Sequence, residues 1–178
     1  MRPQWITVLW VVVAAMAGSG SAWASGANET WEELVGRLFP PDEPQIERAE
    51  VAERIESEED FYLLDIRSRE EFAVSHIRGA RFVSYDEFGL DDVADIPQDA
   101  DIILYCAVGY RSGRVGRELR SAGYSNVRNM VGGILGWADD GRRLFDEDGV
   151  TDRVHGSGPQ WGRHVENPDI EVVYENEP

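Results

Sequence analysis

The chain holds one cysteine, Cys106, followed by Ala107-Val108-Gly109-Tyr110-Arg111-Ser112. The run that leads into it, Asp101 to Cys106, is continuously apolar from Ile102 to Tyr105 and suits a strand covered on both faces; Arg111 to Ala122 suits a helix stopped by Gly123. A thiol at the carboxyl end of a buried strand, under a helix N-terminus, meets roughly half an elementary positive charge from the helix dipole and a turn of N–H donors. Both favour negative charge on sulfur, and the thiolate is the nucleophile. Gly109 can take the positive dihedrals of a tight loop, and Arg111 can bind an anionic donor or leaving group. The pattern is an anion cradle around a nucleophile, and the alternative is a plain strand-to-helix turn with the thiol buried as a small hydrophobe.

Such a site needs a sheet to stand on. Phe61 to Ile66 is a short apolar run bounded by charges and is expected as a buried strand, with Asp65 and Arg67 near its carboxyl end. Ser68 can cap a following helix whose first turn carries Glu70 and Glu71. Ala80 to Ser84 and Val127 to Val131 are further strand candidates, Ile46 sits in a short first strand, and Glu50 to Glu56 suits a helix. Strands alternating with helices imply an α/β fold with a central parallel sheet flanked by helices on both faces. Ligands in such sheets bind outside the carboxyl ends of the strands, where Cys106 stands. Within the helix after the loop, Gly113 and Gly116 each cost about 1 kcal/mol against alanine, so a close approach is expected there.

Taken together, the residues resemble the rhodanese family. The resemblance covers roughly residues 46–145 through Leu63-Leu64-Asp65-Ile66-Arg67, Glu71-Phe72, Ser75-His76-Ile77-Arg78-Gly79-Ala80, the Cys106-x-x-Gly109-x-Arg111-Ser112 run and Gly132-Gly133-Ile134-Leu135-Gly136-Trp137. It implies a six-residue active loop, Cys106 to Arg111, whose backbone amides at Ala107, Val108, Gly109 and Tyr110 face the sulfur. It also implies a sulfurtransferase of the thiosulfate type, in which Cys106 takes sulfur from a small sulfur-containing anion and passes it to cyanide or a thiol, with a protein thiol as a further candidate acceptor. Arg111 is assigned to the donor's anionic end, and Asp65, Arg67 and Ser112 to support. Because Arg111 is the loop's only charge, an organic persulfide or polysulfide is the alternative donor. Ser75 and Arg78 stand where the family usually has glycine and proline. His76 is expected to order its turn, Arg114 and Arg117 to form a solvated face, and Trp137 to pack the core.

The 178 residues allow one domain and little more once an export segment is set aside. Met1 to Ala24 has Arg2, an apolar run from Trp5 to Ala17 and small residues ending in Ala22-Trp23-Ala24, the pattern of a secretory signal peptide; the run is shorter than the roughly 20 residues of a membrane span. The mature protein is therefore expected in the periplasm or outside the cell without stable membrane insertion. Residues 25–45 are expected as an arm or linker and residues 146–178 as a loosely packed acidic tail. The net charge is −17, with every one of the 17 basic residues an arginine, which disfavours nucleic acid as a partner. His155 and His164 lack ligand spacing, so neither a metal nor another cofactor is expected.

Two other functions compete. A cysteine phosphatase or arsenate reductase would need Cys-x5-Arg, but Arg111 falls one place early and Ser112 holds that position. A non-catalytic binding module of the same fold is the second.

Overall fold

The structure, a computed structural model, describes Glu33, Leu34, Gly36 and residues 43–174. The export segment expected at Met1 to Ala24 and most of the expected arm lie outside the described residues. A five-stranded sheet forms the centre: β1 (Gln45–Ile46), β2 (Tyr62–Asp65), β3 (Arg81–Phe82), β4 (Asp101–Tyr105) and β5 (Asn126–Met130), ordered β1-β5-β4-β2-β3 with every pair parallel. The helices α1 (Arg48–Glu56), α2 (Arg69–Val74), α3 (Tyr110–Ser121) and α4 (Gly133–Asp139) alternate with these strands.

Strand side chains alternate between two cores because successive residues point to opposite faces. Leu63, Ile103 and Tyr105 pack with Val51 of α1 and with Ile134, Leu135 and Ala138 of α4. Leu64, Ile102, Leu104 and Cys106 pack with Val115 and Leu119 of α3 and with Val93 and Ile96. Both faces are thus covered, which is why these strands read as unbroken apolar runs. The close approach expected at Gly116 is to the sheet: a Cβ there would lie 3.1 Å from Leu104 Cδ1.

Local signals act where the sequence puts them. Ser68 caps α2 in a reciprocal box, its hydroxyl accepting from the Glu71 N–H while the Glu71 carboxylate accepts from the Ser68 N–H. His76 orders its turn, with its ring stacked on Phe72 at 4.2 Å and its backbone bridged to Phe145. Trp137 is buried and its indole N–H donates to the Arg143 carbonyl.

The segment after residue 145 departs from the expected loose tail. Glycine, proline and acidic residues dominate its composition, yet a few apolar side chains suffice to dock it, with Val154 fully buried and Trp161, Ile170 and Val172 packed on the core of α1 and α4. A β-hairpin of β6 (Leu144–Phe145) and β7 (Val150–Thr151) leads into β8 (Arg153–His155), the short helix α5 (Pro159–Gly162) and β9 (Glu171–Val173), which pairs parallel with β8. The Asp139 carboxylate at the end of α4 accepts from the N–H groups of Glu166 and Asn167, at 2.6 and 3.0 Å, and fixes this arm to the domain.

Candidate active site around Cys106

β4 delivers Cys106 to the carboxyl edge of the sheet, and the chain then turns through Ala107 to Gly109 into α3. Gly109 caps α3 with φ 106°, a left-handed conformation that a Cβ would strain. Its N–H donates to Cys106 Sγ at 3.1 Å. Its carbonyl is held from behind by the Gly113 N–H at 2.9 Å and by Asn129 Nδ2 at 3.0 Å, and Asn129 Oδ1 in turn accepts from the Ser112 hydroxyl. Ser112 therefore supports the loop both directly, its hydroxyl reaching the Gly109 carbonyl at 3.0 Å, and through Asn129. Asn129 is a buried polar side chain that the sequence does not set apart from its polar strand neighbours Asn126 and Arg128.

The loop is gripped a second time. The N–H groups of Ile134 and Leu135, at the start of α4, donate to the carbonyls of Cys106 and Ala107 at 2.9 and 3.0 Å. This requires the backbones to touch at Gly133, where an added Cβ would sit 2.4 Å from the Cys106 carbonyl oxygen and 2.5 Å from that of Ala107, at φ +56°. Gly133 is thus the contact surface for the Cys106 loop, while Gly132 beside it packs against the Arg48 guanidinium. Gly133→Ala is expected to destabilise the fold by on the order of 3 kcal/mol and to slow chemistry at Cys106 about a hundredfold through displacement of the loop. Paired denaturation and single-turnover measurements check this, and wild-type behaviour in both would remove the contact from the account.

Cys106 is only 1% exposed, yet its side chain lines a pocket of about 380 Å³. Ala107, Val108 and Tyr110 form one wall of it, and Ser68 and Glu71 come from the start of α2. The remaining wall is His155, Ser157 and Trp161 of the C-terminal arm. Among the described residues no group of three or more His, Cys, Asp or Glu side chains is placed to hold a metal ion.

Arg111 reaches this pocket but does not stand free in it. Its two terminal nitrogens donate to the two Glu71 oxygens at 2.7 Å each, a bidentate pair between residues forty positions apart. Glu71 also accepts from the Ser157 hydroxyl. Burial alone would raise the Glu71 carboxyl, but Arg111, Ser157 and the Ser68 N–H push it down to about 2. Burial likewise opposes the Arg111 charge, and Glu71 together with the Cys106 sulfur holds it on. Arg111, expected at the anionic end of a donor, meets the Glu71 carboxylate in the structure.

The sign of the resulting pH dependence follows from the lowered Glu71 value. A carboxyl that ionises near 4.5 when unfolded and at about 2 when folded contributes roughly 3 kcal/mol above pH 4.5, lost as pH falls toward 2. The stability gap between wild type and Glu71→Gln is therefore expected to be widest at neutral pH and to close across that window. A gap that stays constant in acid denaturation series would contradict the assignment.

Asp65 and Arg67 form a fully buried ion pair, with Arg67 Nε and Nη2 donating to the two carboxylate oxygens at 2.8 and 2.7 Å. Arg67 Nη2 also donates to the Ser75 carbonyl at 2.6 Å, and the Ile77 N–H donates to the Tyr105 hydroxyl. Burial and the Asp65 carboxylate push the Tyr105 phenol well above its ordinary range. The pair thus supports the Ser75 turn beneath the site, one step removed from the active loop it was expected to serve.

The rhodanese-like domain model matches residues 47–140, more than half of the chain. A sulfurtransferase of Allochromatium vinosum is 31% identical over 105 residues, 59% of this chain and 97% of that protein. The thiosulfate sulfurtransferase GlpE of Haemophilus influenzae is 40% identical over 76 residues, 42% of this chain and 70% of that protein. Larger adenylyltransferase and sulfurtransferase proteins also match, and the chain spans less than a quarter of their length. Among solved structures, the rhodanese-like domain of the Anabaena protein Alr3790 superposes with a TM-score of 0.54 at 28% identity, covering 58% of this chain and 80% of that one. A sulfur held by a strand-end loop, on a five-stranded parallel sheet of this kind, accords with these matches, and the chain belongs to the rhodanese-like domain family.

Proposed function

We propose that the protein is a sulfurtransferase that carries sulfane sulfur as a Cys106 persulfide. The observation that carries this reading is the Cys106 sulfur at the floor of a pocket, with the Gly109 N–H aimed at it from 3.1 Å. The names of its relatives, a sulfurtransferase and a thiosulfate sulfurtransferase, support the same class.

With thiosulfate as donor, the Cys106 thiolate attacks the outer sulfur, the S–S bond breaks, and sulfite leaves with its electron pair. The persulfide then gives its terminal sulfur to cyanide, which forms thiocyanate and restores the thiolate, or to an acceptor thiol. The Gly109 N–H and the α3 dipole stabilise the negative charge that sulfur carries before and after each transfer. Pinning the Gly109 carbonyl through Asn129 keeps that N–H aimed without reorganisation.

Intact-mass measurement tests the reading. Incubation with thiosulfate, a polysulfide or an organic hydropersulfide is expected to add one sulfur atom, removable by cyanide. No adduct from any of the three donors would favour a binding module of the same fold, and turnover of a phosphate ester without sulfur uptake would favour a phosphatase. Export is part of the proposal: the protein recovered from its native cells is expected to begin at Ser25, and an N-terminus at Met1 would refute the cleavage.

A further inference from the structure

Three features of the pocket bear on the sulfur carrier that enters it. Among the described residues the only arginine lining it is Arg111, whose two terminal nitrogens each donate to Glu71 and whose charge is already shared between that carboxylate and the Cys106 sulfur. His155 is likewise engaged at both ring nitrogens, with Nδ1 accepting from the Ser157 N–H at 3.1 Å and Nε2 left to donate to the Tyr174 carbonyl at 3.2 Å. Arg111 and Glu71 cancel, so an ionised sulfur leaves the pocket net negative, and an entering dianion finds no uncompensated cation among the described lining residues.

The second feature is the apolar surface beside the sulfur. Ala107 and Val108 are backed by the core, while Tyr110 keeps 49% of its surface exposed although it sits on the active loop. Trp161 adds an indole from the other side of the sequence. An exposed aromatic on the loop and a second in the wall suit a carbon skeleton rather than an oxyanion.

The third feature is where that wall originates. Ser157 and Trp161 lie beyond residue 140, where the family match ends. They are nevertheless fixed: β8 pairs with β9, the Gly156 N–H donates to the Val173 carbonyl at 2.8 Å, and a Cβ on Gly162 would meet the Tyr174 hydroxyl at 2.5 Å. The arm is therefore a built part of the pocket.

We propose that the C-terminal arm makes the Cys106 pocket selective for an organic sulfur carrier, an alkyl or aralkyl hydropersulfide, with Trp161 as the specificity-determining residue and Tyr110 as the second aromatic contact. The inference rests on the sulfurtransferase reading and names its substrate class. In the step it assigns, the Cys106 thiolate attacks the outer sulfur of R–S–S–H and the S–S bond breaks with its electron pair going to R–S⁻. The proton stays on the transferred sulfur, which leaves Cys106–S–S–H. The released thiolate carries one charge where sulfite carries two, and its R group leaves along the apolar wall.

Second-order rate constants for sulfur uptake, read by quenched intact mass with benzyl hydropersulfide and with thiosulfate, test this on the full mature chain. The wild type is expected to favour the hydropersulfide by about tenfold or more, and Trp161→Ala to lower the ratio of the two constants about tenfold, the effect of losing one aromatic contact. Because Trp161 also packs on the core, Trp161→Phe serves as the conservative control and is expected to keep most of the ratio. A wild type that prefers thiosulfate, or a ratio unmoved in Trp161→Ala, overturns the inference while leaving sulfur transfer intact. Uptake from neither donor overturns both.

Discussion

Replacing Cys106 with serine is expected to lower thiocyanate formation from a sulfane donor and cyanide by on the order of a thousandfold or more, because the hydroxyl is neither an adequate nucleophile at neutral pH nor a carrier of sulfane sulfur. Fold stability should change by about 1 kcal/mol or less, since the two side chains are close in size and the introduced hydroxyl would keep a donor in the Gly109 N–H. The same variant should gain no sulfur in the mass experiment. Retention of more than about a tenth of wild-type turnover would place the chemistry elsewhere.

The second large effect is structural. Asp65→Asn keeps the shape of the side chain and removes its charge, which leaves the fully buried Arg67 guanidinium without the carboxylate bonded to it. Burial opposes that charge and the Asp65 carboxylate sustains it, so loss of the carboxylate is expected to cost about 3–5 kcal/mol in chemical denaturation. Arg67 Nη1 already has no hydrogen-bond partner among the described residues, so no neighbour stands ready to take over. Pairing Asp65→Asn with Arg67→Met should recover much of the loss, because an apolar side chain of similar length needs no compensation. A cost below about 1 kcal/mol for the single change would mean that the pair does not support the turn at Ser75.

The central sheet was legible because its strands are buried on both faces and therefore read as short apolar runs between charges. Phe61 to Ile66 and Asp101 to Cys106 mark β2 and β4 to within a residue or two, and Gly123 stops α3 with φ 100°. The cysteine, the loop glycine and the position at the strand end were equally readable, since all three lie within four consecutive residues. What could not be read is long-range pairing. Glu71 signals a helix start in its own segment, and nothing there indicates that its carboxylate will hold Arg111. Gly133 looks like part of a turn until the Cys106 carbonyl is found against it.

The order of the C-terminal arm is hidden in the sequence for a related reason. Sequence periodicity reports burial only where an element is long enough to repeat, and β8 and β9 have three residues each. Val154, Trp161 and Val172 are separated by polar residues that satisfy turns, so the segment resembles an unpacked tail in composition. Its order comes instead from discrete anchors such as the Asp139 carboxylate.

The burial of the sole thiol has a consequence in any oxidising medium. A disulfide needs its two sulfurs about 2.05 Å apart and its β-carbons about 3.8 Å apart. A thiol with 1% of its surface exposed disfavours that approach by a second copy, and the sequence holds no second cysteine to close a bridge within one copy. Burial thus protects the sulfur against coupling to a second copy, while the pocket of about 380 Å³ leaves it open to small molecules.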